Sequence, residues 1–260
     1  MKIFEKLQKK FQHIFMLNLS TRGDRRYNMI QQLFDFGLPN NFRQFDLDIR
    51  TTVPFKKYNT IMMHVLNQNK LGRLTKPNEY DCTHNHYSMV KQAYDQGYQH
   101  CLIMEDDILF IEDKKIWEKY LDNIPSDFDI LQFGGFTADK QIKDVLDHAG
   151  NHKEECWVKH PKVGIWTTAM YALSRKGMEY YLEFIDNFFW VADGPLYRAP
   201  IDKPELNTYI CTIPLVIQED KDVNPSDIRD KRNDNIDYNT QNMFEMFKGS
   251  YSYWHEKFSE

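Results

Sequence analysis

The sequence predicts an α/β fold with a mostly parallel sheet. Three observations predict it: apolar runs of strand length, amphipathic segments of helical period between them, and a glycine or a charged cluster where most runs stop. The first run is His13 to Leu19, a buried strand that ends at Ser20-Thr21-Arg22-Gly23-Asp24. A helix follows, with Tyr27, Ile30, Leu33 and Phe34 on one face, and Gly37 and Pro39 close it. Phe42 to Leu47 reads as the second strand, while Arg50 to Lys76 gives no assignment. Asn78 to Gln96 is a helix with Met89, Val90, Ala93 and Tyr94 inward and Gly97 as its cap.

Gln99 to Met104 is the next core strand and runs directly into Glu105-Asp106-Asp107. A helix near Lys115 to Leu121 and a strand near Asp129 to Phe133 follow, stopped by Gly134-Gly135. Lys140 to Lys162 is rich in charge and reads as a surface excursion. Thr167 to Leu173 is a strand, Ser174 caps a helix from Arg175 to about Phe188, and Asn207 to Ile213 is the final strand. The polar tail beyond Asp220 has no assigned role. These pieces divide the chain into a basic amphipathic segment (1–11), a main domain (12–235) and a tail (236–260).

The chain has 260 residues, 42% hydrophobic and 27% charged, enough for one sizeable ordered core. Its net charge of −5 argues against a general nucleic-acid binder. No apolar run reaches the roughly 18 residues of a membrane span. Cys82, Cys101, Cys156 and Cys211 are widely spaced and form no CxxC pair, so they read as reduced core cysteines. At the N-terminus, Lys2, Lys6, Lys9 and Lys10 interleave with Ile3, Phe4, Leu7 and Phe11. That pattern fits either peripheral contact with an anionic membrane or a packed terminal helix.

The chemistry-bearing residues cluster at strand ends, where open α/β sheets bind ligands. Extended alternation after the Gln99–Met104 strand would put Glu105 and Asp107 on one side and Asp106 on the other. Such carboxylates either hold Mg²⁺ or Mn²⁺ or form an ordinary acidic loop. Arg22, Arg25 and Arg26 stand at a helix N-terminus and form either an anion site or a solvated basic face. Neither GxGxxG nor a P-loop is present. His84 and His86 lie two apart on one helix and point in different directions, so they do not share a metal; His86 reads as a core or surface histidine. Asp193, before Gly194-Pro195, is either a helix cap or a base whose pKa Phe189 and Trp190 would raise.

Taken in order, these segments resemble glycosyltransferase family 25. The resemblance rests on Phe15 to Arg26 (FMLNLSTRGDRR), Cys82-Thr83-His84, Gly97 to Ile108 (GYQHCLIMEDDI), Thr167 to Gly177 (TTAMYALSRKG), Asp193, and Pro214 to Gln218 (PLVIQ) with Ser226 beyond. Departures are Asp81, Thr83 and Tyr27, and the region Lys140 to Lys162 has no counterpart. The resemblance implies a GT-A-like, Rossmann-type fold holding a nucleotide sugar, and a metal-dependent enzyme that inverts at the anomeric carbon.

By that likeness Asp107 holds Mn²⁺ or Mg²⁺, with Glu105 at the metal or the ribose and Asp106 as a secondary contact. Asn18, Leu19 and Arg25 line the nucleotide pocket, Arg22 or Arg26 approaches phosphate, and Asp193 is the base. Gln218 and His84 complete the candidate set. The donor expected is UDP-galactose and the acceptor a saccharide, lipid-linked or part of a lipopolysaccharide. Collagen-modifying enzymes share the motifs. The chain shows neither a secretory signal nor an ER-retention tetrapeptide at Lys257-Phe258-Ser259-Glu260, which points to the cytoplasm, at the inner membrane face. The alternatives are a carbohydrate-binding protein that kept the fold and another metal-dependent nucleotide enzyme.

Overall fold

Seven strands form one sheet in the order β2-β1-β3-β7-β5-β8-β6 in a computed structural model of the chain. The structure describes residues 2–43, 47–52, 77–134, 152, 155–159, 167–188 and 191–218. The strands are β1 (His13–Leu19), β2 (Asp48–Thr52), β3 (His100–Glu105), β4 (Ile108–Phe110), β5 (Ile130–Gln132), β6 (Trp157–Lys159), β7 (Met170–Ser174), β8 (Thr208–Cys211) and β9 (Val216–Gln218). The helices are α1 (Ile3–Lys10), α2 (Gly23–Asp35), α3 (Pro77–Asp95), α4 (Lys114–Asp122), α5 (Arg175–Phe188) and α6 (Gly194–Asp202). Strands β2, β1, β3, β5 and β8 run one way, and β7 and β6 run against them. The expected α/β architecture is therefore present, with two reversed strands in a mostly parallel sheet. Strands β4 and β9 form a separate antiparallel ribbon.

Alternation along the central strands builds two cores. Ile14 and Met16 of β1, with Leu102 and Met104 of β3, face one side, where Phe4 and Leu7 of α1, Met29 and Leu33 of α2 and Trp117 of α4 cover them. Phe15, Cys101 and Ile103 face the other side and meet Met89, Val90 and Ala93 of α3 and Met178, Tyr181 and Ile185 of α5. The result is three layers, helix on sheet on helix.

Helix α1 has its apolar face, Ile3, Phe4 and Leu7, in the first core. Lys6 pairs with Asp122 of α4 at 2.7 Å, and the Phe4 amide donates to the Phe36 carbonyl at 2.9 Å. The segment expected either to touch a membrane or to pack is packed, and its apolar face is not available for insertion. Among the described residues no helix is long and apolar enough to cross a membrane.

Several expectations about elements change. A strand lies at Asp48–Thr52, just after the expected Phe42–Leu47, of which residues 44–46 lie outside the described residues. Leu47 and Phe42 serve the first core instead, and the polar edge strand DIRTT carries a single aliphatic residue, Ile49, so an apolar-run reading passes over it. The charge-rich region Lys140 to Lys162 contains a strand: Trp157 and Val158 are buried and β6 pairs with β8. The strand expected at Asn207–Ile213 is not the last, because β9 follows it. Residues 53–76, the tail beyond Asp220, and Phe189 and Trp190 lie outside the described residues.

Gly97 and Gly134 are glycines for steric reasons. Gly97, at φ +78°, closes α3 in the left-handed region, with its amide donating to the Tyr94 carbonyl at 3.0 Å. A Cβ at Gly134 would run into the Val216 carbonyl oxygen, so only glycine lets the end of β5 pass β9. All four cysteines are free, with Cys101 and Cys156 buried.

Candidate active site

The carboxyl ends of β1 and β3 lie side by side, and four other elements converge on them. Strand β3 stops at Glu105, whose amide donates to the Ala169 carbonyl at 2.9 Å; the chain then bends before β4. The bend changes the arrangement expected from simple alternation. Glu105 turns toward α3, while Asp106 and Asp107 both approach Arg25 of α2.

Asn18 is buried at the end of β1 and organises this corner. Its Nδ2 donates to Asp106 Oδ2 at 2.5 Å and to the Arg22 carbonyl at 2.9 Å. Arg25 is only 4% exposed, and its Nη1 lies 3.5 Å from Asp106 Oδ1 and 3.6 Å from Asp107 Oδ2. A buried guanidinium requires this kind of compensation, and two carboxylates provide it. Burial pushes the Asp106 carboxyl up to about 6, against the pull of the Asn18 hydrogen bond and the Arg25 charge.

Glu105 is held by three side chains. Its Oε1 faces His86 Nε2 at 3.2 Å and accepts a short bond from Thr168 Oγ1, and its Oε2 accepts from Gln218 Nε2 at 3.2 Å. Burial disfavours its charge, but the His86, Thr168 and Gln218 contacts outweigh burial and hold the carboxyl below its usual range. His86 is fully buried, and its Nδ1 meets the Tyr171 hydroxyl at 3.0 Å. Cys82, one helical turn before His86, completes a group in which the donor atoms of Cys82, His86 and Glu105 all lie within 4.8 Å of one another. Burial, then the charges of Glu105, Asp193, Asp107 and Glu79, push the Cys82 thiol far above its usual range.

The remaining candidates do not all join this centre. Leu19 is half-buried at the end of β1, and its carbonyl accepts from the Arg22 amide at 2.9 Å. The Arg22 side chain pairs with Asp24 at 2.9 Å. Arg26 is exposed and turns away from Arg25 into a cleft of about 630 Å³, which Tyr27, Ile30, Phe42, Ile49 and Thr51 also line. Asp193 precedes α6 without a side-chain cap bond, and its charge bears on Cys82 and Tyr181. His84 is exposed while His86 is buried, because positions 82 and 86 share the helix face that looks toward β3.

Sequence reasoning chose His84, which the structure places at the surface, while His86 is the histidine that meets Glu105; it did not name Thr168, Tyr171 or Cys82 as site residues. The signal available was the spacing of Cys82 and His86, four apart on a helix that leads into the acidic strand.

A hard divalent cation takes oxygen ligands. Asp107 has a side chain 16% exposed, with Oδ2 3.6 Å from Arg25 Nη1 and Oδ1 buried. Asp106 is engaged by Asn18 and Arg25, and both Glu105 oxygens accept protein donors. Of the three acidic residues, Asp107 fits such an ion best.

Comparison with known proteins places the chain in a family. The model of glycosyltransferase family 25 (LPS biosynthesis protein) matches residues 11–195. Procollagen galactosyltransferase 2 of Homo sapiens is 30% identical over 136 residues, covering 48% of this chain and 21% of the relative. Procollagen galactosyltransferase 1 of Danio rerio is 27% identical over 136 residues, with the same shares of 48% and 21%. The chain thus spans about a fifth of the length of the curated relatives it matches. Among solved structures, mouse xyloside xylosyltransferase 1 in its apo form aligns with a TM-score of 0.39 and 8% identity, over 76% of this chain and 84% of that one. The family match runs from just before β1 to the first turn of α6 and takes in Asn18, Arg25, the three acidic residues and Asp193; the chain belongs to glycosyltransferase family 25.

Proposed function

We propose that the protein transfers a sugar from a nucleotide-sugar donor to a saccharide hydroxyl, with inversion at the anomeric carbon. The observation that carries this reading is the convergence of Asn18, Arg25, Asp106 and Asp107 at the carboxyl ends of β1 and β3, the position where open α/β sheets bind nucleotides. Galactose is the sugar favoured by the names of the procollagen galactosyltransferases, and UDP-galactose is the donor proposed. The description of the family favours a lipopolysaccharide-type acceptor, and the location proposed for the reaction is the cytoplasmic membrane face. There Lys9 and Lys10, exposed at the end of α1, would face anionic headgroups.

The cleft beside α2 suits the planar base of the donor. Tyr27 offers a ring that is 64% exposed, Ile30 and Ile49 supply apolar walls, and Arg26 reaches toward phosphate. Asp107 would hold a hard divalent cation, Mn²⁺ or Mg²⁺, which supplies neutralising charge to the departing diphosphate. Arg25 fixes Asp107 and Asp106 in place. Asp193 takes the proton of the acceptor hydroxyl as the acceptor oxygen bonds to the anomeric carbon. The bond to the diphosphate breaks with its electron pair, and the nucleotide diphosphate leaves.

The test is a transfer assay with radiolabelled UDP-galactose, Mn²⁺ and a panel of lipooligosaccharide acceptors. Label moving to one acceptor supports the reading. Glycan binding with no transfer from any nucleotide sugar would favour a binding protein that kept the fold.

A further inference from the structure

We propose that Cys82, His86 and Glu105 form a second, inner metal site for a borderline-soft divalent cation of the Zn²⁺ class. The reading does not depend on sugar transfer. One sulfur, one imidazole nitrogen and one carboxylate oxygen lie within 4.8 Å of one another. Zinc sites use these donors at about 2.0–2.3 Å from the ion, often three from the protein with a fourth position open. An ion at the centre of this group needs each donor to move inward by well under about 1 Å. Two of the donors come from one face of α3, four residues apart, and the third from the end of β3, so the backbone already sets the spacing.

The surroundings of His86 meet a further requirement. A ligating imidazole usually offers its other ring nitrogen to a partner that fixes the tautomer. The Tyr171 hydroxyl stands 3.0 Å from Nδ1 on a fully buried side chain. With the His86 proton on Nδ1 and directed at the Tyr171 oxygen, the Nε2 lone pair points at Glu105 and the ion. Without the ion the Nε2 proton is donated to Glu105; binding replaces that hydrogen bond with two bonds to the cation, leaves the imidazole protonated on Nδ1 instead of Nε2, and releases the Cys82 thiol proton to solvent. Positive charge enters a place where Glu105, Asp193, Asp107 and Glu79 all bear on one sulfur. The donor set separates this site from Asp107: a thiolate selects against Mg²⁺, whereas carboxylate oxygens alone favour it.

The experiment titrates the full-length chain with Co²⁺ in place of zinc and reads the thiolate-to-cobalt charge-transfer band. The site predicts a band that saturates at one equivalent, is bleached by Zn²⁺ and persists in excess Mg²⁺. Cys82→Ser abolishes the band, and Tyr171→Phe weakens Co²⁺ binding about tenfold. Asp107→Ala keeps the band, so a failure of the donor-site reading leaves this one standing. A folded wild-type chain that shows no band overturns the proposal. So does a band that survives in Cys82→Ser, which would place the metal on Cys101, Cys156 or Cys211.

Discussion

His86 and Glu105 meet at 3.2 Å, and this contact joins the buried face of α3 to the last residue of β3. Glu105 also receives Thr168 from the start of β7 and Gln218 from the end of β9. One carboxylate thus gathers four elements. The bend that follows it sets Asp106 and Asp107 against Arg25 rather than along the strand.

Asp106 makes the stability of the metal-free protein depend on pH. Its carboxyl is raised from the usual 3.8 to about 6, so the folded state favours the protonated form. That contribution is fully present below about pH 4 and is lost as pH rises through about 6, a change of about 3 kcal/mol. Glu105 and Asp48, both held below their usual values, act in the opposite direction and lose their contribution as pH falls. Urea unfolding at pH 4 and pH 7 in wild type and Asp106→Asn isolates the Asp106 share. The variant should gain stability relative to wild type at pH 7 but not at pH 4, and an equal difference at both would contradict the assignment.

Asp193 is expected to act on the proton alone. Asp193→Asn should lower kcat by about 10²-fold or more while donor affinity stays at the wild-type value. Wild-type turnover in that variant would remove Asp193 from the base position.

Tyr181 supports the turn that carries Asp193. Its hydroxyl donates to the Ala192 carbonyl at 2.8 Å in a buried setting. Tyr181→Phe leaves that carbonyl without its donor, which costs about 1–3 kcal/mol by thermal unfolding. It should also lower kcat more than it changes donor affinity, because the turn and not the donor cleft is loosened. A fall in donor affinity with kcat unchanged would show that Tyr181 supports the cleft instead.

Tyr27 tests the placement of the base. Stacking on an exposed tyrosine is worth about 1–3 kcal/mol, so Tyr27→Ala should weaken UDP binding about tenfold or more. With the side chain 64% exposed the substitution leaves the core intact, and unchanged binding would move the base out of this cleft.

Much of this architecture was legible from apolar periodicity. β1 is the run His13–Leu19, and β3 and α3 lie within one residue of their expected ends. Long runs that bury both faces announce themselves. The three-residue strands β4, β6 and β9 do not, because their pairing comes from partners far along the chain, as Trp157 with Cys211. The acidic cluster was also legible, but its geometry was not. Strand alternation ends where the Glu105 amide bonds to Ala169, and no local feature of the sequence announces that bend. His86 was passed over for a similar reason: an isolated buried histidine looks like core until Glu105 and Tyr171 are seen around it.

In the proposed reaction Asp107 anchors the nucleotide-sugar donor through a divalent cation at the carboxyl end of β3. Calorimetric titration of a UDP-sugar panel, with and without Mn²⁺, on wild type and Asp107→Ala tests it most directly. The expected result is Mn²⁺-dependent binding of UDP-galactose to wild type that is lost in the variant. Equal binding by both proteins, or binding indifferent to Mn²⁺, would contradict it.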